Sequence, residues 1–310
     1  MKNSTRREFI QTSAVLMAAA FAGTAFNLPE LKPALSFSSL GCPDWTFDQI
    51  VKFAVEHNYS GIELRGIQRE LDLTKCKEFS TAANRAATVK LMKDNGLQFV
   101  DLGSSATLHF TDLIVRKKNL DEGKSFIDLA HEIGCPNIRV FPNLLPKEQD
   151  KNATMNLIIK GLLELGDHAK GSGVNVLLES HGDLVKIDDL ESVMQQAQHE
   201  NVGMIWDVVN MWTLTKESPA EAYKRLKKYV RHTHIKDAKM VDGKLQYTFL
   251  GKGEVPIFEA IDLLAKDGYK GFYSFEWEKL WHPELAEPAL ALADYATVMQ
   301  QHFSTKSKGG

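Results

Sequence analysis

From residue 34 onward the chain repeats one unit, a short apolar run followed by a longer stretch whose apolar residues recur with helical period. The apolar runs fall at residues 35–40, 61–64, 98–102, 137–141, 174–179, 202–207, 230–235 and 271–276. Most are apolar for several residues in succession rather than in alternation, which is how strands covered on both faces read. Between them, Phe47, Ile50, Val51, Ala54 and Val55 recur at i, i+3, i+4, i+7 and i+8. Phe126, Leu129, Ala130 and Ile133 make a second such stripe. Thr46 and Gln49 stand at capping-box spacing before the first helix, and Gly134 supplies a stop for the second. The last helical pattern runs over about 284–302, and the polar residues 304–310 are expected to fray as a tail.

Eight strands alternating with helices predict parallel βαβ units, and eight is the number that closes a barrel. The expected fold is therefore α/β, a single-domain (β/α)8 TIM barrel over residues 35–303. An open doubly wound sheet is the rival, but the GxGxxG that marks it is missing after the first strand. No low-complexity linker divides the chain.

The first thirty residues differ. Ser-Thr-Arg6-Arg7-Glu-Phe-Ile precedes an Ala-rich apolar run over 13–26, shorter than the roughly 20 residues that span a bilayer. A charged start, a short apolar run and then small residues read as an export signal, and the paired arginines resemble the twin-arginine type. Residues 1–30 are thus expected to be a signal peptide and short linker, with the barrel delivered folded to the periplasm. After signal removal no stable membrane span is expected.

Composition narrows the partners. The net charge is −3 among 310 residues, so the basic surface that neutralises many phosphates is missing and nucleic acid is not an expected partner. Cys42, Cys76 and Cys135 form no CxxC pair and read as buried small hydrophobes. A homo-oligomer is left open.

Chemistry concentrates where strands end. In a barrel of this kind the active site lies at the C-terminal ends of the strands. Four consecutive predicted strands finish on ionisable residues after apolar runs: Glu179-Ser-His181, Trp206-Asp207-Val-Val-Asn210, His232-Thr-His234-Ile-Lys236-Asp237 and Ser-Phe-Glu276-Trp277. Carboxylates converging on one barrel mouth repel each other and are costly to bury. A divalent cation removes both problems, and Glu179, Asp207, His234 and Glu276 together suit one ion of Mn²⁺, Mg²⁺, Co²⁺ or Zn²⁺. Taken alone, each such residue would read as a helix cap or a loop ion pair.

These segments, with Gly61-Ile-Glu-Leu and Leu250-Gly-Lys-Gly-Glu-Val255, resemble the sugar phosphate isomerase/epimerase family of xylose isomerase-like barrels. The resemblance covers nearly the whole chain after the signal. It implies metal ligation by Glu179, Asp207, His234 and Glu276, with Glu179 and Glu276 also the acid/base pair. It further implies that His181 contacts substrate oxygens and that Lys236 and Asp237 shape the pocket. Many sugar-acting members carry His three residues after the strand-six Asp, where this chain has Asn210, a side chain that hydrogen-bonds but does not titrate near neutrality. Trp277 and Trp281 could offer an indole face to a sugar or could cover the helix ring. The Gly251 and Gly253 stretch reads as a tight turn rather than a phosphate cradle, and no Walker pattern is present.

The expected function is a metal-dependent isomerase or epimerase that moves a proton on a keto-sugar through an enediolate, with a small carbohydrate as partner. An exported lyase or dehydratase acting on oxidised (keto) glycosides and a non-catalytic carbohydrate-binding barrel are the alternatives. An endonuclease on the same barrel would need a basic face and further metal-binding histidines.

Overall fold

Parallel pairing runs unbroken around eight strands until the last meets the first. These are β1 (Leu35–Ser38), β2 (Gly61–Leu64), β3 (Gln98–Thr107), β4 (Asn137–Phe141), β5 (Asn175–Glu179), β6 (Val202–Asp207), β7 (Val230–Ile235) and β10 (Tyr273–Phe275), with β10 pairing both β7 and β1. The structure, a computed structural model, describes residues 33–307, and Pro33–Gln301 form one compact unit. The export signal read at residues 1–30 lies outside the described residues. The expected (β/α)8 barrel is the fold observed.

Helices follow the strands: α1 (Phe47–Glu56), α2 (Ala82–Asp94), α3 (Leu113–Ile133), α4 (Lys151–Ala169), α5 (Ile187–Gln196), α6 (Val208–Thr215), α7 (Pro219–Leu226), α8 (Ile257–Lys266) and α9 (Pro288–Ser307). The capping box is present at α1, where Gln49 N donates to Thr46 Oγ1 and Thr46 N donates to Gln49 Oε1. Gly134 ends α3 in the left-handed region at φ 72°. The three cysteines are buried and free.

Strand alternation sorts the residues into two layers. The outer layer is apolar: Phe37 packs 4.8 Å from Tyr59, Trp206 stacks 5.5 Å from Tyr223 of α7, and Phe275 stacks 4.5 Å from Tyr295 of α9. The inner layer is polar. Glu63 of β2 touches His232 of β7 and Ser274 of β10, although its sheet neighbours are β1 and β3. Those contacts can only cross the barrel interior. Ser36, Glu63, Asp101, Asn137, Arg139, His232 and Ser274 are all buried there.

One element was not expected. Between β7 and α8 the chain makes an antiparallel hairpin, β8 (Asp237–Val241) with β9 (Lys244–Thr248). Its turn residues Asp242 and Gly243 both take positive φ, 49° and 75°, which is the geometry of a tight two-residue hairpin turn.

Candidate metal centre

The four residues read from the strand ends meet. Donor atoms of Glu179, Asp207, His234 and Glu276 all lie within 4.8 Å of one another, and all four residues are buried. They gather around one nitrogen: His234 Nδ1 is 3.2 Å from Glu179 Oε1, 3.3 Å from Glu276 Oε2 and 3.9 Å from Asp207 Oδ2. A divalent ion about 2.1 Å from its donors spaces neighbouring donors roughly 3.0–3.5 Å apart, so three of these four positions already stand near ligand spacing. Asp207 Oδ2 is buried, and beyond its ion pair with Lys236 it accepts no hydrogen bond of good geometry, as suits a metal donor. The residues present fit one divalent metal.

Each ligand is positioned by its strand end. Asp207 is the last residue of β6 and the N-cap of α6: its Oδ1 accepts from Asn210 N at 2.8 Å, while Oδ2 faces His234 and Lys236. It is therefore a helix cap and a member of the cluster at once. His234 turns its other nitrogen, Nε2, to Glu63 Oε2 at 3.2 Å. Glu63 is itself held by His232 Nε2 at 2.9 Å and Ser274 Oγ at 3.0 Å. A carboxylate on the far nitrogen of a ligating imidazole fixes ring orientation and raises its basicity.

The electrostatics follow from charge in a dry interior. Burial works against charge on His234, but Glu276, Glu63 and Glu179 reverse that and hold its ring well above the ordinary histidine range. Burial pushes Asp207 up to about 7 despite Lys236 beside it. Burial also opposes ionised Glu276 and Glu63, yet His234 with Lys236 for the first, and His234 with His232 for the second, keep both well below the usual carboxylate value. The cluster is thus a site of concentrated charge, its carboxylates balanced in part by the His234 ring and by two further buried cations.

One of those two cations is Lys236, whose Nζ lies 2.8 Å from Asp207 Oδ2, 2.6 Å from Glu276 Oε2 and 2.7 Å from Glu278 Oε1. The other is Arg139 of β4. Its Nη1 lies 3.3 Å from Glu179 Oε2 and 3.4 Å from Glu276 Oε1. Each glutamate therefore gives one oxygen to the cluster and turns the other toward Arg139.

Above the cluster is a cavity of about 290 Å³ lined by residues that include Arg65, Arg139, Phe141, Asn143, Glu179, His181, Asn210, Tyr247, Glu276, Glu278 and Trp281. His181 packs on Phe141 at 4.7 Å, and its buried Nδ1 has no hydrogen-bond partner among the described residues. Burial holds its ring below the ordinary histidine value, so near neutral pH it is uncharged. Asn210 Nδ2 donates to Ser180 O at 3.2 Å, leaving its carbonyl oxygen for the cavity.

Three residues expected at the substrate lie outside the cavity lining: Lys236, whose Nζ is taken up by Asp207, Glu276 and Glu278, and Trp277 and Asp237. Trp277 is 2% exposed, stacks 5.7 Å from Phe275, and donates from Nε1 to Ala286 O at 3.0 Å. It follows Glu276 on an extended segment, so with Glu276 turned inward its own side chain turns outward. Trp281, 53% exposed, is the indole that lines the cavity. Asp237 Oδ2 accepts from Gly251 N and Gly253 N, both at 2.9 Å, so it anchors the loop ahead of α8. A Cβ at Gly253 would sit 2.0 Å from Asp237 Oδ1, which explains the glycine. The HxHxKD and GxGE stretches are the two halves of this one anchor.

Glu63, Arg65, Arg139, His232, Tyr247 and Glu278 were not singled out from the sequence as site residues. The available signal for Glu63 and Arg139 was a charged residue inside an apolar run.

Comparison with known proteins places this architecture. The profile described as xylose isomerase-like TIM barrel matches residues 51–296. An inosose dehydratase of Geobacillus thermodenitrificans (strain NG80-2) is 25% identical over 168 residues, 48% of this chain and 53% of that protein, so the chain spans about half the length of that relative. A 3-dehydroshikimate dehydratase of Bacillus anthracis is 24% identical over 238 residues, 70% of this chain and 78% of its own length. Among solved structures, the IOLI protein with a bound zinc atom superposes with a TM-score of 0.74 at 16% identity, covering 88% of this chain and 98% of that one. A D-psicose 3-epimerase with D-tagatose from Clostridium cellulolyticum H10 superposes with a TM-score of 0.69 at 17% identity, covering 87% and 99%. With its closed parallel barrel and a profile match over most of its length, the chain belongs to the xylose isomerase-like TIM barrel family.

Proposed function

We propose that this protein is a divalent-metal-dependent isomerase or epimerase that moves a proton on the carbon beside the carbonyl of a keto-sugar or related carbohydrate. One observation carries the reading: Glu179 and Glu276 belong to the four-residue cluster and also line the cavity, each with one oxygen on the cluster and one turned toward Arg139. Two carboxylates held ionised on a substrate cavity offer one base to take a proton and a second group that, once protonated, gives one back. A divalent ion held by Glu179, Asp207, His234 and Glu276 would supply Lewis-acid stabilisation of the negative charge that develops on the substrate oxygens. The magnesium, manganese, cobalt and zinc ions all suit this donor set.

Glu179 takes the proton next to the carbonyl, giving an enediolate. Glu276, which takes up a proton from solvent, returns it to the opposite face for epimerisation or to the neighbouring carbon for isomerisation, and Glu179 releases its own to solvent. His181, uncharged and with a free ring nitrogen, hydrogen-bonds a substrate hydroxyl. Asn210, in place of a titratable histidine, orients a hydroxyl without exchanging protons with it. Lys236 holds Asp207 and Glu276 in place through its two short ion pairs. Trp281 offers an apolar face to ring C–H groups.

A second reading is favoured by the two dehydratases among the relatives. The same base removes the same proton, and a leaving group β to the carbonyl departs instead of a proton returning. The twin-arginine pattern at residues 1–30 supports action in the periplasm.

The test is deuterium exchange. Wild type loaded with Mn²⁺ should place deuterium from D₂O beside the carbonyl of a keto-sugar, and Glu179→Gln with measured metal content should lose most of it. Exchange by metal-loaded Glu179→Gln near the wild-type rate would remove Glu179 as base. No exchange by wild type on any keto-sugar or oxidised glycoside would move the assignment to a binding role.

A further inference from the structure

Two guanidiniums share one wall of the cavity. Arg65 follows directly on β2, and Arg139 lies in β4, with Gly103 of β3 between them. A Cβ at Gly103 would sit 2.8 Å from Arg65 Cδ and 3.2 Å from Arg139 Nη2, so the missing side chain is what lets both arginines occupy this wall. Both are buried, Arg65 at 5% exposure and Arg139 at 2%. Like charges side by side in a dry wall are unfavourable unless something is bound between or beside them. Burial, and after it Arg139, draws Arg65 down to about 9, against the opposing pull of Glu122, Glu276 and Glu179.

The arginines are incompletely used by the protein itself. Arg65 Nη2 donates to Ser105 Oγ at 2.8 Å, but Arg65 Nη1 and Arg139 Nε are buried with no hydrogen-bond partner among the described residues. Structural arginines in an interior ordinarily satisfy their donors. Arg139 Nη1 faces Glu179 Oε2 and Glu276 Oε1, the oxygens these glutamates turn away from the cluster.

Charge points the same way. In the cavity wall itself Arg65 and Arg139 stand beside Glu179, Glu276 and Glu278, and a metal held by the cluster would draw the carboxylates toward itself and free the guanidiniums for an anionic ligand. The cavity of about 290 Å³ has room for one monosaccharide-sized molecule. Guanidinium forks match the planar carboxylate in geometry as well as charge.

We infer that the ligand of this cavity is a sugar acid, its carboxylate held by Arg65 Nη1 alongside Arg139 while its hydroxyls face His181 and Asn210. The inference rests on the proposed function only for the assignment of substrate to this cavity, and it names the substrate class.

Calorimetric titration of full-length, Mn²⁺-loaded protein tests it, with three probes: D-gluconate, D-sorbitol, which carries CH₂OH where gluconate carries its carboxylate, and D-glucose 6-phosphate. Gluconate should bind at least about tenfold more tightly than sorbitol, the scale of one charge-assisted hydrogen-bonded pair. Arg65→Met should erase that preference at unchanged metal content and leave sorbitol binding within about twofold. Arg65→Gln serves where the methionine variant does not fold. Equal binding of gluconate and sorbitol, no gluconate binding at millimolar concentration, or a preference that survives loss of Arg65 overturns the inference. Arg65-dependent binding of glucose 6-phosphate in preference to gluconate overturns it in favour of a phosphate ester. Deuterium exchange into a neutral ketose without a gluconate preference keeps the proposed function and loses this inference; Arg65-dependent gluconate binding without exchange into any substrate does the reverse.

Discussion

Glu63 Oε2 lies 3.2 Å from His234 Nε2, on the far side of the imidazole from the three carboxylates that Nδ1 faces. A metal bound at Nδ1 would leave the ring's one proton on Nε2, facing Glu63. Glu63→Gln keeps the shape and removes the charge. It should weaken Mn²⁺ or Zn²⁺ binding about 10–100-fold with little change in fold. Chelator competition reads the affinity, and an unchanged value would take Glu63 out of the metal site.

Asp101 pairs in register with Glu63, is fully buried, and has no hydrogen bond to either carboxylate oxygen among the described residues. Burial first, and Glu63 next, push its carboxyl well above the ordinary value. A raised folded-state value means that the protonated form is favoured by folding. Its stabilising contribution is complete below the unfolded value and is lost as pH rises through the folded one. Asp101→Asn, neutral at every pH, should therefore gain stability relative to wild type as pH rises above the ordinary aspartate range, with the smallest advantage in acid. Thermal unfolding across pH 4–8 checks this, and a difference that stays flat with pH contradicts it.

Trp277 and Trp281 should separate cleanly. Trp277→Ala removes a buried indole and should cost about 3–5 kcal/mol of stability. Trp281→Ala should change stability by no more than about 0.5 kcal/mol but weaken substrate binding, seen as a raised KM. Denaturant unfolding and kinetics on the two variants decide, and the opposite pattern would return Trp277 to the cavity.

Gly253→Ala should loosen the loop before α8. The added methyl would meet Asp237 Oδ1 at 2.0 Å and Ala238 O at 2.5 Å, so the loop must lift from its anchor. A cost of about 1–3 kcal/mol follows, with a fall of a few degrees in Tm. An unchanged melting curve would mean that the Asp237 anchor carries no stability.

Parts of this were legible in the amino-acid order because they are local. The barrel shows as apolar runs separated by helical stripes. Glu179, Asp207 and Glu276 show because an apolar or aromatic stretch switches to an ionisable residue at its end, and His234 shows through the HxHxKD stretch it stands in. Glu63, Arg139 and His232 act through contacts across the closed barrel, between strands that are not neighbours, and no local pattern announces that. The β8–β9 hairpin did carry a local signal, Asp242-Gly243, but only Met240, Val241 and Leu245 around it are strongly apolar. Trp277 and Asp237 were misplaced for one reason. Side chains alternate along extended backbone, so the neighbour of an inward residue points away from the site.

The double engagement of Asp207 limits what evolution or design can do at that position. A glutamate is too long to cap α6 from there, an asparagine keeps the cap but presents an amide to the cluster, and an alanine loses both. At position 210 the tie to Asp207 runs through the backbone amide and survives any side chain but proline, while the side chain itself holds only Ser180 O. A change of side chain at 210, one turn of helix away, therefore reshapes the cavity wall at the cost of one bond to Ser180 O and leaves the cap made by Asp207 intact.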